Sequence, residues 1–107
     1  MYTLTNVAEP AFQALAEPRR RAILRLVRDK PRSAGEIAEQ FDISQQGVSQ
    51  HLQVLKAAGL VAVRAQGQRR LYVVRPEGLD SVRDFLAEFW PAKLADLKHA
   101  VESRDDA

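Results

Sequence analysis

The side chains in this sequence best suited to chemistry are amides and hydroxyls gathered in one short stretch, Ser44 to Leu60 (SQQGVSQHLQVLKAAGL). Gln45, Gln46, Ser49, Gln50 and Gln53 fall on one side of a helix whose other side, Val48, Leu52 and Leu55, recurs at i, i+4 and i+7. A glutamine amide donates and accepts together, which matches the major-groove edge of adenine, whereas a face that meets only water usually carries Glu and Lys. This face holds no acid. The chemistry on offer is hydrogen-bonded recognition of double-stranded DNA, not the making or breaking of bonds.

Other chemistries are closed off. With no cysteine there is no disulfide, no thiolate metal site and no cysteine redox sensor. His51 and His99 are the only histidines, they are separated by most of the chain, and His51 already lies in the reading stretch, so no metal site is expected. Paired carboxylates beside a plausible cleft, a glycine-rich phosphate loop and clustered histidines are all missing, so neither an enzyme nor a cofactor is expected.

The elements that must position the amide face follow from local signals. Ser44 caps the amino end of the helix by accepting from a first-turn amide, and Gly59 suits a left-handed carboxyl cap, giving a reading helix over about 44–58. Ser33 and Glu36 form a capping box that opens a short helix over 33–40, with Ile37 and Phe41 on its apolar edge. Phe41, Asp42 and Ile43 then lead directly into Ser44, the spacing of a helix-turn-helix, with Ile43 packed under the turn. Upstream, Pro10 opens a short helix carrying Phe12, Leu15 and Ala16, and Pro18 opens a second with Ala22, Ile23, Leu26 and Val27 buried, ended by Pro31. Arg19, Arg20, Arg21, Arg25 and Arg28 spread around the rest of that helix, mostly as a solvated face.

Downstream, residues 60–64 and 71–75 are rich in apolar and β-branched residues, and Ala65, Gln66, Gly67 and Gln68 between them supply a hairpin turn. Arg64, Arg69 and Arg70 flank the tip, where guanidinium groups clamp phosphates or enter a minor groove. The competing reading is an edge kept soluble by charge. A closing helix is expected over 79–101, its stripe running Leu79, Val82, Phe85, Leu86, Phe89, Trp90, Leu94 and Leu97. Pro91 kinks that helix or lets a fresh one start at Trp90 to Pro91. The stripe is too apolar for a lone surface helix. A dimer interface of Phe12, Leu15, Leu79, Val82, Leu86, Phe89, Trp90, Leu94 and Leu97 is therefore expected, ahead of simple closure of the monomer core.

A chain of 107 residues, 46% of them hydrophobic, suits one domain with a modest core: mainly α with a small β-hairpin, a winged helix-turn-helix. The net charge of +2 hides an asymmetry, because residues 1–75 hold twelve basic and six acidic side chains while residues 76–107 hold four and eight. The first part thus carries +6 and the second −4, placing the basic charge with the reading helix. Residues 102–107 read as a frayed acidic end. No apolar run is long enough to span a bilayer, and MYTLTNVAEP lacks the order of a signal peptide, so a cytoplasmic protein with no membrane partner is expected.

In this arrangement the sequence resembles the ArsR/SmtB-like family of small repressors. AFQALAEPRRRAILRLV at 11–27 looks like that family's first two helices, and SAGEIAEQFDISQQGVSQHLQVLKAAGLV at 33–61 is similar to its helix-turn-helix signature. The resemblance implies a homodimer that represses transcription from an inverted-repeat operator, often its own. Carried over position by position, it places Ser44, Gln45, Gln46, Ser49, Gln50 and His51 at the DNA. Metal-sensing members carry a pair of cysteines in the third helix, where this chain has Glu36 to Asp42, so metal sensing is not implied. The segment FWPAKLADL at 89–97 is similar to the closing helix of a cysteine-free branch that has no common effector. An inducer, where one acts, is expected at the closing-helix interface. The alternative to DNA binding is a winged helix that docks a protein complex through its hairpin and apolar tail.

Overall fold

The computed structural model describes residues 9–90. Helices α1 (Glu9–Ala16), α2 (Pro18–Asp29), α3 (Ala34–Gln40) and α4 (Gln45–Ala57) are followed by strands β1 (Val61–Gln66) and β2 (Arg69–Val74), a 3-10 turn (Pro76–Leu79) and helix α5 (Asp80–Ala87). The strands form a two-stranded antiparallel hairpin with Val61 opposite Val74 and Gln66 opposite Arg69, turning through Gly67 and Gln68. A backbone bridge from Arg32 to Tyr72 (N to O distances of 3.3 and 2.8 Å) stitches the hairpin to the segment entering α3.

The starts of α2, α3 and α4 are each set by a side chain. Ser33 Oγ accepts from Glu36 N at 3.2 Å while Glu36 Oε1 accepts from Ser33 N at 2.9 Å, the expected capping box. Ser44 Oγ accepts from Gly47 N at 3.0 Å. For α2 the cap is Glu17, whose Oε2 accepts from Arg19 N and Arg20 N, with Pro18 in the first position, where its missing N–H costs nothing.

Helix α4 ends where Gly59 takes φ +77°. Leu60 N then donates to Leu55 O at 2.9 Å and Gly59 N to Lys56 O at 3.0 Å, a Schellman closure that satisfies two terminal carbonyls. Leu55 and Leu60 are both fully buried at that corner.

The core is a single cluster in which Ala11, Ala14, Ile23, Val27, Ile37, Val48, Leu52, Leu55, Leu60 and Val61 meet, with Phe41, Ile43, Tyr72 and Val74 packed around it. Val48, Leu52 and Leu55 of the reading helix are buried, so its amide side is left to solvent. No described polar side chain is buried.

Of the closing helix expected over 79–101, residues 91–101 lie outside the described residues, and the part before the expected break at Trp90 to Pro91 is shorter than expected. Residues Pro76–Leu79 form a 3-10 turn, α-helix covers only Asp80–Ala87, and Glu88 and Phe89 turn out of it. Pro91 explains the stop: a proline ring clashes with the carbonyl four residues before it, which is that of Ala87, and the residue ahead of a proline avoids helical backbone. Leu94 and Leu97 lie outside the described residues.

Candidate nucleic-acid interface

Helix α4 stands on the core with Ser44, Gln45, Gln46, Gln50 and Gln53 exposed and Ser49 half-buried. Ser44 uses one acceptor lone pair on the helix cap, leaving the hydroxyl proton and a second lone pair for other partners. Gln45 lies near the start of α3, where its Oε1 would be 3.6 Å from a Cβ added at Gly35. Ser33, Gly35, Gln45, Ser49, Arg70 and Tyr72 line an open polar groove between α3, α4 and the hairpin. The Arg32 to Tyr72 bridge holds the middle of β2 against the segment entering α3.

His51 is placed differently from its neighbours. Its ring is 20% exposed and faces the corner between α1 and α2, with Nε2 4.0 Å from Glu17 Oε2 and Nδ1 3.5 Å from Arg20 Nη1. That arrangement suits an anchor of α4 on α2 rather than a group projecting from the amide face. Arg20 continues the anchor, donating from Nε to Ala14 O at 2.8 Å and from Nη2 to Gln13 O at 3.0 Å. Arg21 donates to Leu15 O and Ala16 O. Two arginines expected on a solvated face thus close the carboxyl end of α1, where terminal carbonyls and the helix dipole favour cations. From the sequence alone Glu17 and Arg32 carry no expected role and Arg20 is expected on a solvated face, although a carboxylate before Pro18 and basic residues just past a helix end are the signals for such caps.

The hairpin arginines also separate. Arg64 and Arg70 are exposed, whereas Arg69 Nη2 donates to Glu36 Oε1 across to α3. Glu36 carries two bonds on one oxygen. Its carboxyl is held below its ordinary value of 4.5, first by the Ser33 backbone N–H, which together with the Ser33 hydroxyl and Arg69 outweighs the opposing desolvation.

Away from the groove lies an apolar face. Phe12 and Phe85 meet edge to face at 5.0 Å, Phe85 and Phe89 at 5.0 Å, and Phe89 and Trp90 lie 6.4 Å apart. Phe89 is 61% exposed and Trp90 47%. Phe85, absent from the interface expected on sequence, joins the two sides of this ladder. Leu15, Leu79 and Val82 were expected on it, but they pack at least partly against the monomer's own core. Leu79, Val82, Leu86 and Trp90 outline a shallow hollow, and Leu79 also borders a second one floored by Leu15, Leu24 and Val74 and rimmed by Arg21, Arg25 and Arg28. No cluster that could hold a metal ion occurs among the described residues, and no described helix is long and apolar enough to cross a membrane.

A capped helix pair, an amide-faced second helix and an arginine-tipped hairpin define a winged helix-turn-helix DNA-binding domain. Comparison with known proteins places it further. A family described as a helix-turn-helix domain matches residues 15–64. The HTH-type transcriptional regulator Rv2034 of Mycobacterium tuberculosis is 42% identical over 96 residues, covering 90% of this chain and 90% of its own. The transcriptional repressor SdpR of Bacillus subtilis is 35% identical over 78 residues, covering 73% and 87%. Among solved structures, the homodimeric winged helix-turn-helix DNA-binding domain of Mb0332 from Mycobacterium bovis, a possible ArsR-family regulator, superposes with a TM-score of 0.65 at 26% identity, covering 82% of this chain and 91% of that one. The chain belongs to the ArsR/SmtB-like family of winged helix-turn-helix transcriptional regulators.

Proposed function

We propose that the chain acts in the cytoplasm as a homodimeric repressor that occupies an inverted-repeat operator through two copies of α4. The observation that carries this reading is the exposed, acid-free amide face of α4 beside an arginine-tipped wing, with an aromatic ladder exposed elsewhere on the same domain. Gln45, Gln46, Ser49, Gln50 and Gln53 read base edges, Arg64 and Arg70 meet the backbone or a flanking minor groove, and His51 holds α4 in place. Phe12, Phe85, Leu86, Phe89 and Trp90 form the described part of the dimer face. Pairing two domains there sets the reading helices roughly 34 Å apart, one turn of duplex. No catalytic step belongs to this reading. An inducer works by favouring a dimer whose helices miss that spacing, and the hollows beside the aromatic ladder are where it binds.

Selection of bound sites from genomic duplex, followed by titration in salt, tests the reading. An inverted repeat is expected, with affinity for it falling about a thousandfold between 50 and 200 mM salt if six to eight phosphates are neutralised by the dimer. Binding to no duplex even at low salt would favour the protein-docking alternative instead.

A further inference from the structure

Of the three arginines around the wing tip, one is already committed. Arg69 opens β2 at the last rung of the ladder, opposite Gln66, and every residue from Arg64 to Arg70 is exposed. Its guanidinium reaches α3 and donates to Glu36 Oε1, joining residues 33 positions apart. Both side chains remain open to water, Arg69 at 55% and Glu36 at 39%, so a phosphate has access to the same guanidinium. The Glu36 carboxylate is in turn fixed by Ser33, whose backbone N–H donates to the same Oε1, while the Ser33 hydroxyl accepts from the Glu36 backbone N–H. Held there, it cannot follow Arg69 away. Arg69 therefore has two mutually exclusive partners: the carboxylate of its own domain or the backbone of a duplex.

We propose that Glu36 is a specificity-determining residue: by occupying Arg69 it withholds one wing cation per subunit from sequence-independent phosphate contact. The inference rests on the wing meeting DNA as described above. A charge of this kind adds equally to every duplex, operator or not, so withholding it lowers the background without touching base recognition. An exposed ion pair of this type shifts such a competition by roughly 1.5- to 5-fold per subunit. That is enough to matter against many competing sites, and small enough to leave binding intact.

Glu36→Gln separates the two duties of this residue, because glutamine at the third helical position still completes a capping box but carries no charge for Arg69. Anisotropy titrations of unrelated duplex and of selected operator over 50–300 mM salt compare the wild type, Glu36→Gln, Arg69→Gln, Arg70→Gln and the Glu36→Gln/Arg69→Gln double variant. Glu36→Gln is expected to bind unrelated duplex several-fold more tightly, with a log–log salt slope steeper by about 1.8 per dimer, while its operator preference falls. The gain is expected to vanish in the double variant. Arg69→Gln alone leaves the slope near wild type, whereas Arg70→Gln makes it shallower by about 0.9 per subunit.

A gain that persists without Arg69 would mean plain repulsion between Glu36 and DNA and overturns the proposal. Equal slope losses for Arg69→Gln and Arg70→Gln overturn it as well, and that comparison does not depend on Glu36→Gln folding. Wild-type binding with an unchanged Glu36→Gln slope defeats this inference alone, while wild type that binds neither duplex at 50 mM salt defeats the DNA reading itself.

Discussion

Gln50 and Arg70 stand for two kinds of contact, and their substitution separates them. Gln50 is exposed in the middle of the amide face, where a side chain that donates and accepts discriminates between bases. Gln50→Ala is expected to cost about 1–3 kcal/mol on the operator and little on unrelated duplex, relaxing preference at one position of each half-site. Arg70→Ala is expected to weaken both duplexes alike. Identical loss of preference in the two variants would undo this division.

Glu36 brings a pH dependence of known sign. Because the folded state holds its carboxyl below the ordinary value of 4.5, chiefly through the Ser33 N–H, the ionised form is favoured by folding. The stability it contributes is present above about pH 4.5 and is lost as pH falls through the lower folded value. Thermal midpoints followed by circular dichroism from pH 6 to 3 should fall less steeply for Glu36→Gln than for wild type. Glu77, lowered by its own backbone N–H and by Arg75, adds a slope of the same sign that both proteins share.

At the scale of elements, the strongest constraint is a contact between two glycines. A Cβ on Gly78 would sit 2.0 Å from Gly59 O and 2.8 Å from Gly59 C, so the 3-10 turn before α5 lies directly on the backbone that ends α4. Gly78→Ala must push that turn off the helix end and is expected to destabilise by about 1–3 kcal/mol, a drop in melting temperature of several degrees. Gly59→Ala meets no neighbour but forces alanine into left-handed backbone, costing about 1–2 kcal/mol. Unchanged melting in Gly78→Ala would show that the turn moves freely.

Helix α4 was legible in the sequence because its signals are local: Val48, Leu52 and Leu55 at helical spacing, Ser44 before them and Gly59 after. The capping box of α3 and the hairpin turn are equally short-range. What escaped is what joins distant positions. Arg69 to Glu36 and Gly78 to Gly59 each depend on the assembled fold, and nothing in residue spacing encodes them. The early end of α5 was half visible, since Pro91 was recognised as a breaker, but its reach back to the carbonyl of Ala87 was not applied. Of the expected site, the four glutamines of the face stand exposed and Ser49 is half-buried, while His51 turns toward Glu17 and Arg69 toward Glu36.

For the whole molecule, the exposed ladder of Phe85, Phe89 and Trp90 against Phe12 is the surface most costly to leave in water. Replacing Phe85 and Phe89 together by serine is expected to shift sedimentation from dimer to monomer. The core residues Ile23, Leu52 and Leu55 are untouched by that change, so helicity should persist. Operator affinity should then drop toward that of one half-site, because two domains no longer bind as one. A fully dimeric double serine variant would place the interface elsewhere.

The meeting of Gly78 with Gly59 also bears on how a signal travels. Side chains can absorb a displacement by changing rotamer, but two backbones in contact have nothing to rotate. The junction therefore leaves little room for α5 to tilt at the proposed dimer face without the carboxyl end of α4 being expected to move with it. A small movement at the aromatic ladder arrives at the amide face as a change of angle, and over the span of a two-site operator an angle is what decides whether both helices find their grooves.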